Sequence, residues 1–243
     1  MKKYKVFNNI FFIAGYSFSN LSMYYRHVVA QLQYYADGIK EAGKEREEVE
    51  KGRGREFDKQ GQENFEGVFA EIWPGYFHNS FVVSACSLFE HQVKKLWAFI
   101  QEEHNVPFAW DDFRDPVPER IRKLLNFAGV TLKDNPPRIE LPPPDFKPTP
   151  VYDENRIVMS AIWKELGYYY RVRNCIVHNN GLIKKARGPG TLQEYAIEKG
   201  VLVDREGQPE IQLNESFNVT VCETMGKFFD KLMGAYYSAP LPK

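Results

Sequence analysis

Closely spaced metal-ligand cysteines, a disulfide framework and long apolar runs are all missing from this chain. Its 243 residues include three cysteines, Cys86, Cys175 and Cys222, far apart and odd in number, with no C-x-x-C pair. That argues against a zinc ribbon or a disulfide-stapled scaffold. Reduced, buried thiols of a cytoplasmic protein are the expectation. The apolar run at residues 10–14 is far shorter than the about 20 residues a membrane span needs. No small-residue cleavage site accompanies it, so neither a membrane partner nor a signal peptide is expected. The sequons at Asn20, Asn214 and Asn218 then carry no weight. Net charge is missing too, since Lys+Arg and Asp+Glu stand at 32 each. Contact with nucleic acid would have to come from a local patch.

Several catalytic signatures are also absent. Glu102-Glu103-His104 lacks the second histidine of H-E-x-x-H, so no metal or cofactor is expected. Gly188-Pro189-Gly190 is too short to cradle a phosphate and reads as a turn. Asp111, Asp112 and Asp115 beside Arg114 read as a solvated loop or cap. His91 reads as a surface residue, and His27 and His78 have no evident partner. There is no internal repeat and no Ser-His-Asp set.

What is present is helical periodicity. Leu21, Tyr24, Tyr25, Val28, Leu32 and Tyr35 predict a long helix over about 20–50. The Gly-rich, charged stretch that follows predicts a flexible loop over about 51–64, and Trp73-Pro74-Gly75 a turn. Phe81, Val82, Ala85, Phe89, Val93, Leu96 and Ile100 form the apolar stripe of a second helix over about 79–103. A short helix is expected over 118–127, closed by Gly129. Seven of the fifteen prolines fall in 134–150, which predicts a second flexible, extended connector. A third main helix starts near Asp153, an N-cap candidate, and ends at Asn179-Asn180-Gly181. Residues 201–203 and 210–213 flank Glu206-Gly207 as a hairpin, and a last helix spans about 216–236. The expected fold is all-α, a helical bundle with a small C-terminal β-hairpin insertion, forming a single domain over 1–243 with its core at about 75–236.

The most informative stretch is residues 171–181, RVRNCIVHNNG. Asn174 and His178 are four apart and neighbours on one helix face, so the amide is placed to orient the imidazole. Arg173 lies at the edge of the apolar arc and needs a partner or a wet cleft. Glu90, at the border of the second helix's stripe, is the candidate partner, or else a solvated boundary residue. Between Glu165 and Glu194 there is no acidic residue, while Arg171, Arg173, Lys184, Lys185 and Arg187 all occur. Lys184 and Lys185 are equally explained by the helix dipole.

Residues 173–178 resemble the R-x(4–6)-H signature of HEPN domains, a family of helical bundles. The asparagine after the arginine is a favoured family residue. Residues 80–90 are similar to the earlier family helix, in which an acidic residue follows small ones. Arg171 also satisfies the spacing to His178. The resemblance covers roughly residues 75–185.

It implies a HEPN-like fold and a metal-independent endoribonuclease acting as a homodimer, in which a toxin or antiviral-defence effector cuts RNA by 2′-hydroxyl attack. His178 would then do acid–base work and Arg173 would stabilise phosphoryl charge. Asn174 would orient either group, and Glu90 would support Arg173. Arg171, Lys184, Lys185 and Arg187 would contact RNA, and an antitoxin or other regulatory protein would restrain the activity. Two readings compete: a non-catalytic HEPN dimer serving as a scaffold or nucleotide- or RNA-binding module, and an unrelated helical protein whose Asn-Asn-Gly is only a helix stop.

Overall fold

The computed structural model describes residues 2–104, 107–127, 154–186 and 188–238. The described chain is mostly helical: α1 (Lys2–Gly52), α2 (Lys59–Gly67), α3 (Trp73–His104), α4 (Val117–Phe127), α5 (Glu154–Asn179), α6 (Pro189–Glu198) and α7 (Glu215–Ser238). One antiparallel hairpin, β1 (Leu202–Arg205) and β2 (Gln208–Ile211), precedes α7. The fold is all-α with a hairpin insertion. The connector expected at 134–150, Gly129 and the Asp153 cap lie outside the described residues.

Local chemistry explains where the sequence pattern misplaced boundaries. The first helix begins at Lys2, well before residue 20. Phe11, Ala14 and Phe18 are its buried positions there. It stops in the Gly-rich stretch by a Schellman arrangement. Gly54 is left-handed at φ +65°, its N–H bonds Lys51 O at 3.1 Å, and the Arg55 N–H bonds Glu50 O at 2.9 Å. Only residues 53–58 of the expected 51–64 loop lie between helices. Asp58 accepts from the Gly61 N–H at 2.9 Å and starts α2.

Trp73-Pro74-Gly75 is not a turn but the start of α3, reached from α2 through a π-helical segment, Val68–Ile72. Pro74 has no N–H, and its ring would clash with the carbonyl four residues back in a regular helix. The wider π turn relieves that clash. Gly188-Pro189-Gly190 likewise opens a helix that the sequence pattern missed. Gly188 is the left-handed N-cap at φ +64° and Pro189 occupies the first turn of α6.

The chain forms two compact units. One is drawn from the described residues within 1–19, 85–172 and 221–243, the other from those within 20–84 and 173–220. The first has an aromatic core. Phe18 stacks on Phe229 at 6.0 Å. Phe89 meets Phe228 edge-on at 5.2 Å, and Phe228 meets Trp163 at 5.3 Å. Tyr170 donates to Cys86 O at 3.2 Å, and the Arg120 guanidinium lies 5.0 Å from the Trp110 ring centroid.

The second unit carries a polar knot inside an apolar shell. Tyr25, fully buried, packs on Phe77 and Phe81. Its hydroxyl is 2.6 Å from Nδ1 of His78. Asn218, also fully buried, bonds both the Tyr25 hydroxyl at 3.0 Å and the His78 carbonyl at 3.2 Å. A carbonyl only accepts, so Asn218 presents its Nδ2. The Tyr25 oxygen accepts from that amide. Burial depresses the His78 pKa, against the opposing pull of Glu215.

Candidate functional site

The last two turns of α5 divide by face. Val172 and Cys175 are buried, Arg173 and Ile176 are half-buried, and Asn174, Val177 and His178 are exposed. Apolar spacing sets the buried side, and the polar residues take what is left. Burial, with Glu210 nearby, pushes the Cys175 thiol up to about 11. Cys222 is pushed up to about 12 by burial, with Glu223 adding to it. All three cysteines are buried and outside any disulfide, which makes them inert core residues.

Arg173 donates from Nη1 to Oδ1 of Asn174 at 2.8 Å. The asparagine carbonyl is thus taken by the arginine. The hydrogen bond expected between Asn174 and the imidazole is not among those of the described residues, and His178 stands exposed one turn on. Five residues of α-helix place Arg173 and His178 roughly 140° apart around the axis. One copy of the helix end therefore presents the cation and the imidazole to different sides.

The remaining candidates divide. Glu90 pairs with Lys94 at 3.1 Å, one turn along α3, so Glu90 and Arg173 each bond a neighbour on their own helix. They also belong to different units. Arg171 lies against Tyr168, with 5.2 Å from guanidinium to ring centroid. Lys184 spends its ammonium on Gly207 O at 3.1 Å, which ties it to the hairpin turn. Lys185 is exposed. Arg187 lies outside the described residues.

The helix stop has a structural task. Asn180 and Gly181 are both left-handed, at φ +52° and +82°, and the Gly181 N–H reaches back to Cys175 O at 3.1 Å. The Gly181 carbonyl then accepts from Ile211 N at 2.9 Å, and Leu182 bridges Glu210. A Cβ on Gly181 would sit 3.1 Å from the Ile211 carbonyl oxygen. The hairpin itself turns on Glu206 and Gly207, both at positive φ, as a two-residue type I′ loop requires. Sequence separation hid this docking. It also brings Glu210, paired with Arg205 at 3.4 Å, beside the helix end. The segment without acidic residues in sequence is thus not free of acid in space.

His78 and Asn218 are the polar residues whose partners the sequence did not reveal. Their network rests on contacts across α1, α3 and α7, which no local spacing encodes. Among the described residues no group of three or more His, Cys, Asp or Glu side chains is placed to hold a metal ion. No helix among them is long and apolar enough to cross a membrane. No known family model matches the sequence, and no curated protein or solved structure shows significant similarity to it.

Proposed function

We propose that this chain is a metal-independent endoribonuclease of the HEPN kind, and that the end of α5 is its active site. The reading rests on the resemblance of residues 173–178 to the family signature. One observation carries it further: a guanidinium held by Asn174 and an exposed imidazole share the last turns of one helix. In the reaction, a base takes the proton of the ribose 2′-hydroxyl and O2′ attacks phosphorus. The P–O5′ bond breaks, and an acid returns a proton to O5′. The products are a 2′,3′-cyclic phosphate and a 5′-hydroxyl.

His178 serves as acid or base. Arg173 binds the phosphoryl oxygens as their charge grows. Asn174 acts on the arginine, fixing its fork, rather than on the histidine. The two groups diverge around one helix, so a homodimer supplies the second imidazole and guanidinium. Arg171 and Lys185 are secondary phosphate contacts, and Arg187 joins them on the strength of the sequence alone. The biological setting is a cytoplasmic toxin or defence effector, restrained by an antitoxin or other regulatory protein. Expression of wild type in bacteria should arrest growth, and His178→Ala or Arg173→Ala should relieve the arrest. Equal growth with wild type and both variants would contradict the proposal.

A second reading, a non-catalytic HEPN scaffold or binding module, is favoured by the work the helix end already does. Asn180 and Gly181 seat the hairpin, and Lys184 braces its turn. In that case His178→Ala leaves both growth and RNA integrity unchanged.

A further inference from the structure

The π-helical segment between α2 and α3 builds an aromatic surface that neither the core nor the α5 site uses. A π turn rotates less per residue than an α turn, so residues four apart fall closer to one line. Phe65, Phe69 and Trp73 make such a line. Their ring centroids are 5.1 and 6.2 Å apart, and the second pair is nearly parallel at 10°. Phe65 is 52% exposed, Ile72 51%, Trp73 55% and Tyr76 72%. Contiguous exposed aromatics of this size mark a contact surface in a water-soluble fold.

The charge around the ladder selects the partner. Residues 60–93 contain no lysine or arginine. Glu63 and Glu71 are exposed and Glu66 is half-buried. None of the three forms an ion pair among the described residues, and Glu66 accepts only an amide bond, from Gln62 at 3.0 Å. Residues 36–76 as a whole hold eleven acidic and seven basic residues in a chain that is neutral overall. Aromatic faces attract cations through their quadrupoles, and the carboxylates add to that attraction. The same carboxylates repel phosphates, so RNA does not fit this face.

We propose that the Phe65–Phe69–Trp73 ladder, with Glu63, Glu66 and Glu71, is a docking face for a lysine- or arginine-bearing segment of a partner polypeptide. The proposal does not depend on ribonuclease activity. The full chain would be titrated against a labelled peptide of alternating lysine and alanine, a matched glutamate–alanine peptide, and poly(U). The lysine peptide should bind and the other two should not compete for the face. Glu71→Lys and Trp73→Ala should each weaken lysine-peptide binding by about fivefold, while Trp73→Phe retains it. Glu119→Lys, the same charge change placed on α4, should have little effect. Equal binding by all variants, or an equal loss in Glu119→Lys, would overturn the proposal. So would a Trp73→Ala variant that only converts an oligomer to a monomer, because the face would then belong to a second copy.

Discussion

The Tyr25 hydroxyl and Nδ1 of His78 share a hydrogen bond of 2.6 Å, and the fully buried Asn218 amide donates to both the Tyr25 hydroxyl and the His78 carbonyl. This bond joins α1 to α3 within one unit. Tyr25→Phe leaves the ring volume intact but strands the Asn218 N–H and the His78 Nδ1. The expected cost is about 1–3 kcal/mol, read as a lower urea midpoint with an unchanged slope. An unchanged midpoint would mean that the network contributes nothing.

The same pair sets a pH dependence. His78 has a depressed folded pKa, so between that value and about 6.5 the unfolded chain binds the extra proton. The stability from keeping His78 neutral is fully present above about pH 6.5 and is lost as pH falls through the folded pKa. Glu215 works against this by favouring the protonated ring. Urea midpoints measured from pH 7.5 down to 5 should fall in wild type. The fall should be shallower in His78→Gln, and parallel curves would contradict the assignment.

Gly181→Ala should cost about 1–3 kcal/mol, from its left-handed φ and from the close approach to the Ile211 carbonyl. Gly190→Ala, in α6, meets nothing within 4 Å and has an ordinary φ. It should be neutral or slightly stabilising. Melting temperatures of the two variants separate backbone strain at the helix stop from a general effect of adding a methyl group.

Asn174→Ala tests whether the amide acts through Arg173. On the proposed reading it lowers ribonuclease turnover by about tenfold and leaves the pH profile of His178-dependent cleavage in place. A changed pH profile with the same turnover would return the amide to the histidine.

Much of the fold was legible because it rests on local rules. The stripe Phe81–Ile100 gave α3, Asn180-Gly181 gave the end of α5, and Glu206-Gly207 gave the hairpin turn. The failures also have local causes. Pro74 and Pro189 read as turns because proline interrupts helix interiors, yet one follows a π segment and the other opens a helix. At the candidate site, the i, i+4 relation of Asn174 and His178 placed the residues correctly but not the hydrogen bond. The adjacent guanidinium carries the stronger, charged donor. Glu90 has a nearer cation than Arg173 in Lys94, four residues away on its own helix and paired with it at 3.1 Å. The docking of Gly181 on Ile211 joins residues thirty apart in sequence, beyond any periodicity argument.

The most direct test of the central claim is incubation of the purified full chain with RNA in excess EDTA, followed by chemical mapping of the cut ends. The proposal predicts 2′,3′-cyclic phosphate and 5′-hydroxyl termini, with rates reduced by about a hundredfold or more in His178→Ala and Arg173→Ala. Intact RNA under these conditions, or cleavage that persists in both variants, would contradict it.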